Sequence, residues 1–149
     1  LICNGRSGQI INHTKKMNVS VDYSEISDWI NRKFSVTISF KRVDKNTFET
    51  SYKPGNFIPT VHVNFKVENL KKDIICISYD CSILVSLFIF GAINHLQNKI
   101  PKGIEIKSDE RLINIYPKQI DRMQKLMEQV FVSDISFNEK NVDLFLEWL

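Results

Sequence analysis

The run Ile83-Leu84-Val85-Ser86-Leu87-Phe88-Ile89-Phe90 decides how this chain is read. It is entered through Asp80-Cys81-Ser82 and left through Gly91-Ala92-Ile93-Asn94-His95. Strand-like alternation stops just before it and resumes after Pro101, so it reads as one buried helix among antiparallel strands. Over residues 81–98, Ile83, Leu84, Leu87, Phe88 and Gly91 share a face, while Val85, Ile89 and Phe90 make most of the remainder apolar. A helix apolar nearly all round is buried on more than one side. Burying each large side chain contributes about 1.5–3 kcal/mol, so the pattern predicts that this helix anchors the fold.

Four strands precede it. Val36, Ile38 and Phe40 alternate with Thr37, Ser39 and Lys41, and the turn Asp44-Lys45-Asn46 leads into Phe48, Thr50 and Tyr52. After the break at Pro54-Gly55-Asn56, Val61, Val63, Phe65 and Val67 alternate with His62, Asn64 and Lys66, the clearest period of two in the chain. Asn69 to Asp73 turns back into Ile75, Ile77 and Tyr79. Two hairpins with one apolar face need a cover, and the 81–98 helix is the natural one.

The flanks complete the expectation. Val19 and Val21 suit a short strand, Ser24 offers an N-cap, and Ile26, Trp29, Ile30 and Phe34 at helical spacing predict a helix over 25–33. Residues 1–16 are polar and aperiodic, a flexible arm, with Met17 a candidate start of the native chain. Downstream, Ile104 and Ile106 turn through Ser108-Asp109-Glu110 into Leu112 to Tyr116. Pro117 suits a first helical position, and Ile120, Met123, Met127, Val130 and Phe131 fit one helical face. Val142, Leu144, Leu146 and Trp148 alternate with Asp143, Phe145 and Glu147 and pair with Ile135 and Phe137 as a hairpin across Asn138-Glu139-Lys140-Asn141, with a terminal helix as the alternative. The expected fold is a single α+β domain over 17–149. In it a curved, largely antiparallel sheet packs on a buried central helix, with a short N-terminal helix and a helix near the C-terminus.

Bulk properties narrow the function classes. A chain of 149 residues, 43% hydrophobic and 25% charged, suits one compact domain and not a disordered segment. Its net charge of +3 divides into +6 over residues 1–72 and −3 over 73–149. That is far from the dense basic stripe of a nucleic-acid binder, and Phe40, Phe48 and Phe65 fall in the apolar phase instead of interleaving with Lys41, Lys45, Lys53 and Lys66 to stack on bases. Nucleic acid is therefore not an expected partner. Cys3, Cys76 and Cys81 make an odd set with no disulfide spacing, which favours reduced thiols and a cytoplasmic setting. The longest apolar run, Ile83 to Ile93, is too short to cross roughly 30 Å of hydrocarbon.

Candidate chemistry is sparse. Cys81 opens a helix, where the dipole lowers a thiol's pKa, but Asp80 opposes that shift and the apolar run after it suggests burial. His95 is about 21 Å further along a straight helix at 1.5 Å per residue, and His62 could approach only through the tertiary fold. Cys76, Cys81, His62 and His95 lack the paired short intervals of structural zinc sites. No Gly-rich phosphate loop or nucleophile elbow occurs, so neither a cofactor nor a metal is expected.

The order of elements is similar to small folds in which a curved antiparallel sheet wraps a long helix, among them helix-grip lipid binders, tubular lipid-binding domains and secretion-chaperone-like domains. That likeness covers element order and names no functional residue. The first functional expectation is a non-enzymatic binding domain. It would hold an apolar small molecule or lipid between sheet and helix, against Phe65, Ile77, Leu87, Phe88 and Met123. The alternative is a protein–protein interaction module using exposed sheet or an edge strand, as monomer or homodimer. An enzyme built around Cys81 or His62 comes third.

Overall fold

The computed structural model describes residues 16–57 and 59–149, and leaves the side chains of 88–90, 92, 93 and 95–97 outside that description. The arm expected over 1–16 therefore lies outside the described residues, apart from Lys16, which opens a strand.

Among the described residues, nine strands and three α-helices follow in the order β1 (Lys16–Asp22), α1 (Tyr23–Phe34), β2 (Ile38–Asp44), β3 (Thr47–Tyr52), β4 (Val61–Leu70), β5 (Ile75–Asp80), α2 (Ile83–Leu96), β6 (Ile104–Lys107), β7 (Leu112–Ile115), α3 (Gln124–Met127), β8 (Val130–Phe137) and β9 (Asn141–Trp148). The strands form a six-stranded sheet, β2-β3-β4-β5-β7-β6, and a three-stranded sheet, β1-β9-β8. Every pairing is antiparallel. The α+β class and the largely antiparallel sheet thus hold.

Alternation along β4 sets the faces of the larger sheet. Phe65 lies opposite Phe48 on one side and Tyr79 on the other, and Val67 lies opposite Ile77. Ile77 continues the row to Ile113, and Ile75 to Ile115 and then Ile104. The opposite face carries His62 beside Ser51 and Asn64 between Glu49 and Asp80. Because the side-chain period is two, one extra residue swaps the faces. The register shift between Val67 and Asn69 uses this, putting Leu70 opposite Ile75 on the apolar side. A second shift, between Val132 and Asp134, lets Val130 and Val132 share a face with Ile135 and Phe137, which strict alternation would turn outward.

The core lies between the two sheets. Met127, Val130, Val132, Ile135, Phe137 and Leu146 pack with Ile75; Phe48, Val67, Ile77 and Ile115 close in from the larger sheet, and Met123 joins them from the start of α3. Phe137 is the hinge pin of this seam. Its ring meets Phe48 at 4.6 Å, its N–H donates to Lys45 O at 2.8 Å, and its carbonyl accepts from Arg42 Nε at 2.8 Å.

Three expectations are corrected. The helix over Ile83–Leu96 forms, but the large side chains described in its first turns are not buried: Ile83 and Leu84 are each 76% exposed and Leu87 65%. The apolar sheet face already has a cover in β8, β9 and α3, so α2 has no seat there. At its start, Arg111 Nη1 bonds both Asp80 Oδ1 and Cys81 O at 3.2 Å. The helix foreseen through Met123 and Phe131 shrinks to the single turn Gln124–Met127, because Val130 and Phe131 are taken by β8 in pairing with Trp148 and Glu147. Ser24 does not cap α1: Asp22 sits at the N-cap, and the Tyr23 N–H donates to Lys140 O at 3.0 Å.

An exposed α2 has a measurable consequence. Leu87→Ala should shift the unfolding free energy by no more than about 0.5 kcal/mol, whereas a core leucine would cost about 2–5 kcal/mol. Urea denaturation followed by circular dichroism distinguishes these values, and a loss in the upper range would place Leu87 in a core.

Candidate functional site

Helix α1 builds one wall of an apolar concavity. Glu25 in its first turn and Arg32 and Lys33 in its last complement the helix dipole. Ser35 ends it in the left-handed conformation at φ 56°, donating its N–H to Asn31 O. The helix is held to β2 by the Ser27 hydroxyl, which donates to Ile38 O at 2.8 Å, and by the Tyr23–Phe40 ring stack at 5.6 Å. Positions 29, 30, 33 and 34 then face a groove of about 970 Å³, shared with Ile38 of β2, Pro101 and Ile104 of β6. Strands β2 and β6 are the two outer strands of the six-stranded sheet, so the groove takes residues from both of its edges.

The walls are apolar and open. Trp29 is 45% and Phe34 37% exposed, with rings edge to face at 6.1 Å and Lys33 Nζ 5.3 Å from the Trp29 ring centre. A neighbouring recess of about 430 Å³ shares Trp29, Lys33, Pro101 and Ile104 and adds Lys102, Ile120, Asp121 and Arg122. Four cations (Lys33, Lys99, Lys102, Arg122) thus line the pair of depressions against the one carboxylate of Asp121. None of the four is in an ion pair among the described residues, whereas Lys16, Lys45, Lys107, Arg111 and Lys118 are each paired.

No known protein family, curated protein or solved structure matches this chain. The reading of the site rests on its geometry.

The residues expected to line a ligand site are placed as follows. Phe65 stacks on Phe48 at 5.1 Å and meets Tyr79 at 6.3 Å, and Ile77 and Met123 pack against the buried core. Leu87 stands in solvent on α2, and the Phe88 side chain lies outside the described residues. Phe65, Ile77 and Met123 are not among the residues that line the groove beside α1. Trp29, Ile30 and Phe34 are legible in the sequence as residues at helical spacing, without a sign of the space they face. The signal available for a site was Lys33 set between Ile30 and Phe34.

A second, polar hollow of about 480 Å³ on the outer sheet face holds His62, Asp80, Cys81, Ser82 and Val85, and so brings His62 and Cys81 to one place. Burial pushes the Cys81 thiol up, Arg111 pulls it down and Asp80 raises it again, for a net rise above the ordinary cysteine value. Cys81 is therefore a protonated, weakly nucleophilic thiol at neutral pH. His62 Nδ1 lies 3.1 Å from Ser51 Oγ and 3.3 Å from Glu49 Oε1. A nucleophile–base–carboxylate relay needs its two partners on opposite ring nitrogens, and here both crowd the same one. Among the described residues no three His, Cys, Asp or Glu side chains group as metal ligands, and no helix is long and apolar enough to cross a membrane.

Proposed function

We propose that this protein is a non-enzymatic binding domain that holds an apolar small molecule or lipid in the groove beside α1. One observation carries the reading: Trp29 and Phe34 line a concavity of about 970 Å³ instead of closing a core. That volume sits within the roughly 300–1,000 Å³ of small-molecule sites, and its wall is mainly hydrophobic with charge at the margin, as such sites require.

The test is titration with a neutral fluorescent naphthylamine. Saturable one-to-one binding is expected, weakened at least about tenfold by Trp29→Ala, since removing an aromatic wall forfeits about 1.5–3 kcal/mol of contact. The half-exposed position of Trp29 keeps the variant folded, which the urea midpoint verifies. Non-saturable binding, or binding indifferent to Trp29→Ala, would remove the groove from consideration.

A second reading, a protein–protein interaction module acting as an adaptor, chaperone-like protein or inhibitor, is favoured by the exposed Ile83, Leu84 and Leu87 of α2, a contiguous apolar surface of the kind used for contacts. Native mass spectra across protein concentration separate the two: a retained mass of a few hundred daltons supports the ligand, and a dimer series supports association.

A further inference from the structure

We infer that the occupant of this groove is a single-chain amphiphile with an anionic head, of the fatty-acid carboxylate class; this rests on the groove being the binding site. The groove is polarised along its length. Ile30, Phe34, Val36 and Ile38 line the larger depression and not the recess, and Lys102 and Arg122 line the recess and not the larger depression. Trp29, Lys33, Pro101 and Ile104 belong to both and join the two ends. A bound molecule spanning them lays an apolar tail along α1 and β2 and brings its head to Lys102 and Arg122, with Lys33 between.

The charge at the head end is uncompensated. Lys33, Lys102 and Arg122 face one carboxylate, Asp121, and none is in an ion pair among the described residues. Cations gathered at a site repel one another, and an anion placed among them relieves that repulsion. Lys33 already lies over the Trp29 ring, which fixes one cation at the junction of tail and head. A phosphate backbone would ask for a basic stripe along the whole groove, whereas here Lys102 and Arg122 line the recess with Lys33 at the junction, and the larger depression adds the single cation Lys99 beside Ile30, Phe34, Val36 and Ile38.

The experiment compares laurate with monolaurin, which has the same acyl chain and a neutral head, by calorimetric titration below the critical micelle concentrations. Laurate is expected to bind one-to-one and about tenfold more tightly, each exposed ion pair adding a few-fold. The double variant K102E/R122E should abolish the preference while retaining monolaurin affinity. Raising NaCl from 20 to 500 mM should shrink the wild-type preference in the same direction, because exposed pairs are screened, and this arm needs no variant to fold. Equal binding of the two lipids overturns the anionic head and leaves the groove reading standing. A preference that persists in K102E/R122E or in high salt places the head elsewhere and overturns the assignment. Binding of neither lipid overturns both.

Discussion

Phe137→Ala is expected to destabilise the fold by about 3–5 kcal/mol, the range for deleting a buried aromatic ring from a packed core. Phe137 is 7% exposed and its ring sits on Phe48, on the strand of the larger sheet that faces it. Phe48 in turn stacks on Phe65 and tilts against Phe40. Removing the Phe137 ring leaves this aromatic row without its partner from the three-stranded sheet, and the seam cannot collapse freely. Its backbone bonds to Lys45 and Arg42 hold the strand in place and keep the cavity open. Phe131 on the same strand is the control. It is half-buried and contacts Lys72 through a cation–π pair at 5.3 Å, so Phe131→Ala should cost about 1 kcal/mol. Urea unfolding of the two variants reads the difference directly, and equal losses would mean that the sheets do not meet at Phe137.

The second large effect is expected at Gly103→Ala. Gly103 has φ +94°, where a side chain costs about 1–3 kcal/mol in backbone strain. A Cβ there would also lie 2.8 Å from Ile120 Cγ1, 2.9 Å from Tyr116 O and 3.2 Å from Gln119 C. Two of those neighbours are backbone atoms, and the Tyr116 N–H is itself bonded to Gly103 O at 2.7 Å, so the contact cannot relax by rotating one side chain. Overpacking of this kind adds about 1–3 kcal/mol. The loss should be accompanied by weaker ligand binding, because Pro101, Lys102 and Ile104 on either side of Gly103 line the groove. A stable Gly103→Ala protein with unchanged affinity would show that this wall is not rigidly placed.

Much of the fold was legible in local pattern. The alternation of Val61, Val63, Phe65 and Val67 gives one apolar and one polar face whatever surrounds it, and β4 carries those faces. The hairpin across Asn138-Glu139-Lys140-Asn141 was readable because two alternating runs flank four polar turn residues, and β8 and β9 pair through it. The helical reading of Met123 to Phe131 failed for a local reason as well. Met123, Met127 and Val130 satisfy a spacing of three and four, but Val130-Phe131-Val132 also favours a strand, and pairing with Leu146 to Trp148 decided between them.

The site was much less legible. An apolar residue at helical spacing predicts a buried face, and nothing in Trp29, Ile30 and Phe34 says whether the element opposite fills the space or leaves it open. The groove exists because residues from α1, β2 and β6, far apart in the chain, come together around it. Lys102 and Arg122 meet at one end of it for the same reason, across 20 residues of chain.

By itself, the sequence determined most of the strands and their faces, the start of β8 excepted, and the helical nature of Ile83 to Leu96, since periodicity and turn chemistry act within a few residues. The tertiary structure alone decided what lies on what. The three-stranded sheet took the apolar face of the larger sheet, which left Ile83, Leu84 and Leu87 of α2 exposed and a groove beside α1. The physical reason is that burial belongs to a pair of surfaces: a hydrophobic stripe states a need for cover, and only competition among all the stripes in the chain assigns it.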